Sequence, residues 1–191
     1  MDPRPTMRRL TPNGYRRMPW RNGGGTTTEI TVEPGDASVS GGRFVYRVSI
    51  ADVAADGPFS RFEGYDRHIM LLSGAGMTLD CGEHGQLELG TPHEPRTFSG
   101  DWEVRGTLRG GAVRDFNVIV DRAVASSSLH VHALRAAESF ACDPRTVCVV
   151  HVLEGELVGA ACGDTLVAEA PFELVPRVSG ALVAIARITS R

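Results

Sequence analysis

Not one of the 20 basic residues in this 191-residue chain is a lysine; every one is an arginine. Without a lysine amine no Schiff base forms, which excludes class I aldolase and pyridoxal-phosphate chemistry. The same absence removes the nucleotide-binding reading of the glycine-rich stretch PWRNGGGTTTEI at residues 19–30. A P-loop requires a lysine after its last glycine, and the spacing is not G-x-G-x-x-G at a strand–helix junction. The sequence also lacks an 18-residue apolar run, a G-x-S-x-G elbow and a C-x-x-C pair. It therefore presents no membrane-spanning helix pattern, no hydrolase elbow and no zinc-ribbon spacing. The opening MDPRPTMRRL has no apolar core of the signal-peptide kind, so the cytoplasm is the expected compartment. Cys81, Cys142, Cys148 and Cys162 lie in or beside apolar segments and are expected as buried, reduced thiols.

What is present is ordinary in composition and regular in pattern. Hydrophobic residues make up 42% and charged residues 23%, with a net charge of −3, as in a soluble globular chain. The arginines are scattered, so neither nucleic acid nor a membrane surface is an expected partner. Two-residue alternation recurs throughout: RFVYRVSIADV (43–53) sets Phe44, Tyr46, Val48 and Ile50 opposite Val45, Arg47 and Ser49. Glycine, proline, aspartate and serine separate such segments at the short spacing of an all-β protein. There is also an internal echo. HIMLLSGAGMTLDCG in the first half matches HVLEGELVGAACG in the second, with His68 and His151 each opening an apolar strand that turns at Gly74 and Gly155. A strand–turn–strand unit appearing twice predicts a duplicated cupin, two jelly-roll β-barrel modules spanning 1–122 and 123–191.

Cupins often hold a metal, and HVH at 130–132 offers two histidines on one strand face. Val124 stands where the usual pattern has a glycine, and Ala136 and Ala137 where it has a glutamate. A transition metal needs three or four ligands, so neither a metal nor another cofactor is expected. More telling are polar pairs inside apolar strands: Arg47 with Ser49, and Asp115 with Asn117. In a closed barrel one face of each strand points inward, so two such pairs would line a polar cavity; on a solvent face they would be unremarkable. Arg21 and Arg67 fall at loop–strand junctions, where a barrel's mouth would lie. Arg67 reads either as a surface partner of Asp66 or as half of an anion clamp, since guanidinium matches a carboxylate fork. Phe59, in the turn GPFS, reads as a core plug.

At this point the sequence resembles a known family. MPWRNGGGTTTEI, YRVSIADV, GPFSRFEGYDRHIMLLSGAGMTL, FSGD and DFNVIVDR, in that order between Met18 and Arg122, are similar to the HutD/Ves family of bicupins. The chain departs from the family pattern at Tyr46, Glu63 and Ile119, where tryptophan, proline and methionine are usual. The resemblance implies a two-module cupin without the usual metal ligands, associated with bacterial histidine utilisation in a regulatory rather than catalytic role. Urocanate and N-formylglutamate, small carboxylates of that pathway, fit the arginine clamp. Ves members are linked instead to stress responses.

The expected ligand site therefore comprises Arg21, Asn22, Gly23, Gly24, Gly25, Glu29, Arg47, Ser49, Arg67, Asp115 and Asn117. Arg47 and Arg67 would hold the carboxylate of a small metabolite, while Ser49, Asp115 and Asn117 read its polar groups. The three glycines would turn peptide N–H groups toward the anion as a nest, with Asn22 and Glu29 fixing the loop or completing the rim. Two further classes compete with this binding role. One is a metal-independent isomerase or hydrolase with Asp115 or Glu29 as general base; the other is a protein-interaction module with a vestigial pocket. Exposed edge strands are compatible with a homodimer.

Overall fold

A computed structural model describes residues 7–35, Ala37 and 42–191. The chain forms eighteen strands among these residues. They are β1 (Met7–Leu10), β2 (Arg16–Pro19), β3 (Gly25–Glu33), β4 (Tyr46–Val53), β5 (Gly57–Pro58) and β6 (Tyr65–Ser73). Next come β7 (Met77–Asp80), β8 (Gln86–Leu89), β9 (Arg96–Ser99), β10 (Arg105–Leu108), β11 (Val113–Asp121) and β12 (Ala125–Leu134). The last are β13 (Glu138–Phe140), β14 (Thr146–Leu157), β15 (Ala160–Ala161), β16 (Thr165–Ala168), β17 (Phe172–Leu174) and β18 (Pro176–Ser190). Among the described residues no helix is long and apolar enough to cross a membrane. Residues 1–6 of the opening segment lie outside the described ones.

Two compact units result, one of Arg16–Val124 and one that joins the N-terminal stretch through Tyr15 to Ala125–Arg191. In the first, a six-stranded sheet ordered β2-β3-β4-β11-β6-β9 faces a four-stranded sheet ordered β5-β10-β7-β8. In the second, the order is β1-β16-β14-β18-β12, with β15 beside β14, and β13 pairs with β17. The expected first module began at residue 1; the structure differs there. Met7–Leu10 pairs antiparallel with Thr165–Ala168, so the chain's first strand completes the second unit. Nothing local in MRRL announces a partner more than 150 residues away, because edge pairing is satisfied by backbone groups and not by side-chain identity.

The duplication is visible strand by strand. The path β4-β11-β6-β9 in the first unit repeats as β12-β18-β14-β16 in the second. At matching places His68 Nδ1 meets Thr97 Oγ1 at 2.8 Å and His151 Nδ1 meets Thr165 Oγ1 at 2.9 Å. Gly74, just after β6, and Gly155, at a register shift within β14, both have positive φ.

The two interiors differ in chemistry. In the second unit, β14 and β18 turn Val150, Val152, Val183 and Ile185 into a core with Leu134, Leu157 and Leu174. In the first unit Ile69, Leu71, Met77, Leu79 and Val113 make an apolar floor, with Trp20, Phe59 and Trp102 packed around it. Beyond that floor the inward positions become polar.

Candidate functional site

Strand register assembles the site. Across β11, Ile119 lies opposite Arg47 of β4 on one side and Arg67 of β6 on the other. Asn117 lies opposite Ser49 and Ile69, and Asp115 opposite Ala51 and Leu71. Because successive strand residues alternate faces, Arg47, Ser49, Asp115, Asn117 and Arg67 all line a single cavity of ≈ 490 Å³. The inward reading of the two i, i+2 polar pairs thus holds, and the surface reading of Arg67 does not. Asp66 pairs instead with Arg122 at 3.0 Å, pointing away along the alternate face.

Arg67 is 5% exposed. Its Nη1 donates to Ser60 O at 3.1 Å and its Nη2 to Asn117 Oδ1 at 3.0 Å, while Nε has no hydrogen-bond partner. The rings of Phe98, Phe62 and Phe59 surround the guanidinium at 4.8, 5.4 and 5.5 Å. Aromatic faces stabilise a cation where water is excluded. Burial nevertheless pulls Arg67 down to about 10, with Asp115 opposing and Arg47 adding to the effect. It remains a cation at neutral pH.

Arg47 makes an ion pair with Glu29 of β3, Nε to Oε2 at 2.9 Å. The contact is one of charge rather than of an aligned hydrogen bond, for Arg47 Nε has no hydrogen-bonding acceptor. Asp115 is fully buried; its Oδ1 accepts from Asn117 Nδ2 and its Oδ2 has no partner. Burial pushes this carboxyl up to about 7, against the pull of Arg67 and the Asn117 hydrogen bond, with Asp52 adding repulsion. Asn117 is thus an amide bridge, its oxygen on the cation and its nitrogen on the acid.

The glycine-rich loop plays a different part from the one expected. Trp20, Arg21 and Asn22 line the cavity, but Gly23, Gly24 and Gly25 do not. Gly23 N–H is taken by Trp20 O at 3.1 Å and Gly24 N–H by Asn22 Oδ1 at 3.0 Å. These donors are spent within the loop, so no anion nest forms. The need for bare backbone is clearest at Gly25, where a Cβ would lie 2.4 Å from Asp52 O and 3.0 Å from the Trp20 ring. Glycine here permits a close crossing that seats the indole, whose Nε1 donates to Thr27 Oγ1 at 2.8 Å. Glu29 likewise serves Arg47 rather than the rim.

Sequence reasoning missed Phe62, Phe98, Ser60 and Ile119 as site residues; Phe59, read as a core plug, does pack against the apolar core and in addition lines the cavity. Phe59 and Phe62 flank Arg67 from an irregular loop, where no periodicity assigns a face. Other expectations fare unevenly. Three cysteines are buried, but Cys162 is exposed at a turn after β15. His130 is exposed on β12, and His132 packs edge-on to Phe140 at 5.7 Å. Among the described residues no group of three or more His, Cys, Asp or Glu is placed to hold a metal.

Two repeated double-sheet modules, one with an apolar core and one with a polar cavity, define a duplicated cupin. The chain belongs to the HutD family, whose model matches residues 13–180. It is 46% identical over 110 residues to an uncharacterized 21.2 kDa protein in the hutC 3' region of Pseudomonas putida, covering 58% of this chain and 56% of that protein. It is 39% identical over 111 residues to protein Ves of Citrobacter koseri, covering 56% of each. The match therefore spans about half the length of these curated relatives. Two solved structures are similar over nearly the whole chain. The conserved protein of unknown function PA5104 from Pseudomonas aeruginosa PAO1 shows 32% identity and a TM-score of 0.81, covering 96% of this chain and 99% of that one. HutD from Pseudomonas fluorescens SBW25 (formate condition) shows 31% identity and a TM-score of 0.76, covering 97% and 99%.

Proposed function

We propose that the N-terminal module binds a small carboxylate metabolite and that the protein modulates histidine utilisation through that occupancy. The observation that carries this reading is the shared cavity of Arg47 and Arg67, two guanidinium groups on either side of Ile119. A buried cation with an unused N–H is costly unless an anion meets it, and Arg67 Nε is such a donor. Family membership supports the link to histidine utilisation. Urocanate and N-formylglutamate are the candidate guests. Thermal-shift screening of small acids tests the proposal: a ligand at 100 times its Kd adds about 2.7 kcal/mol of stability. A screen in which no small carboxylate raises the melting temperature rejects it.

A second reading rests on Asp115, whose buried carboxyl titrates at about 7 as a general base would. A metal-independent isomerase or hydrolase would turn over the same metabolites, and mass spectrometry of incubated candidates separates turnover from binding.

A further inference from the structure

Away from the exposed Arg21, which also lines it, the cavity's inner charges are already balanced. Arg47 and Arg67 supply two positive charges; Glu29, in contact with Arg47, and Asp115, bridged to Arg67 through Asn117, supply two negative ones. Asp52 of β4 meets Arg114 of β11 at 3.5 Å outside the cavity, and Arg21 is exposed, so solvent and salt screen its charge from the interior. A carboxylate guest on the inner guanidinium groups adds one negative charge beside the fully buried Asp115 carboxyl. Something must compensate.

Glu29 is poorly suited to do so, because it touches the Arg47 guanidinium directly at 2.9 Å. Asp115 is placed differently. It is fully buried, touches no cation within ion-pair distance, and carries one oxygen, Oδ2, with no partner at all. Only the neutral Asn117 stands between it and Arg67. An ionised carboxylate in this position is held by the field of Arg67, and a guest on that guanidinium cancels the field.

We propose that the cavity takes up its carboxylate guest together with one proton from solvent, and that Asp115 Oδ2 receives that proton. This rests on the carboxylate-binding reading above. The inner bookkeeping closes: Arg47, Arg67, the Glu29 carboxylate and the guest carboxylate sum to zero once Asp115 is neutral, with Arg21 left to solvent. No bond other than O–H forms. Asp115 is thereby a positioning residue that makes occupancy depend on pH, with no need to touch the guest.

The test uses the full chain and formate, small enough to reach either guanidinium. Formate affinity is measured by calorimetry from pH 5.5 to 9, in two buffers of different ionisation enthalpy, so that protons taken up are counted directly. The expected result is a flat affinity below about pH 7, a fall of roughly tenfold per pH unit above it, and about one proton bound per formate at pH 8. Asp115→Asn is expected to bind formate with a flat profile and no proton uptake. Formate binding without proton uptake in the wild type overturns the proton linkage and leaves carboxylate binding standing. Uptake that persists in Asp115→Asn overturns the assignment to Asp115. No formate binding at pH 6 overturns both. Should Asp115→Asn fail to fold, the wild-type proton count decides alone.

Discussion

Arg47 and Arg67 are aligned on opposite sides of one residue, Ile119, so that two strands that are not neighbours aim guanidinium groups into one cavity. Each is held differently, Arg47 by the carboxylate of Glu29 and Arg67 by an amide, a backbone carbonyl and three aromatic rings. Different consequences follow for each when it is removed.

Arg67→Ala is expected to reduce affinity for a small carboxylate by about 2–5 kcal/mol, the usual loss when one side of a buried charge pair is truncated. Arg47→Ala should fall in the same range. Calorimetry that returned wild-type affinity for both variants would reject the clamp.

Arg47→Ala also takes away the cation beside Glu29, a carboxylate that is only 6% exposed. Breaking a buried pair by removing one partner costs about 3–5 kcal/mol. The double variant Glu29→Gln/Arg47→Ala should recover part of that loss. Urea denaturation of both variants measures the recovery, and additivity of the two changes would show that the pair is not coupled.

Asp115 has a stability signature of its own. Its carboxyl is raised to about 7 in the folded chain, against about 3.9 unfolded. The folded state therefore binds the proton more tightly, and this group's contribution is full below about pH 4 and lost as pH rises through 7. Asp115→Asn, which cannot ionise, should gain on the wild type by roughly 1.4 kcal/mol per pH unit across that window. Parallel pH–stability curves for the two proteins would contradict this.

Gly25→Ala drives a methyl into Asp52 O, a backbone atom that cannot swing aside. A loss of about 1–3 kcal/mol is expected, the range for forcing extra carbon into a packed site. Gly23→Ala meets nothing within 4 Å but sits at φ +70°, so its cost is only the left-handed penalty of about 1–2 kcal/mol. Equal wild-type melting temperatures for both would show that the loop is not closely packed.

In the second module, Tyr15 Oη lies 2.8 Å from Gly163 O and 2.8 Å from Thr165 Oγ1, and so ties the N-terminal segment to the β16 end. Tyr15→Phe should cost about 0.5–1.5 kcal/mol, read as a lower melting temperature. An unchanged midpoint would mean the hydroxyl contributes nothing net.

Much of the architecture could be read from the chain itself. Period-two alternation located β4 and set the inward pair of β11, because side chains on a strand must alternate between faces. The paired histidines and glycines of the two halves announced the duplication before any strand order was known. The same alternation put Arg47 with Ser49, and Asp115 with Asn117, on shared faces. Whether those faces met a core or water was open, since either is compatible with the spacing.

The sequence by itself therefore determined the strands, the repeat and the absence of lysine chemistry; these depend on local covalent geometry and on which side chains exist. Tertiary structure alone decided that β1 joins the second unit, that the Gly23 and Gly24 N–H groups are consumed inside their own loop, and that Asp115 lies buried one amide away from Arg67. These outcomes depend on distances between residues far apart in the chain. Charge and hydrogen-bond energies fall steeply with those distances, and no pattern of neighbours along the backbone encodes them.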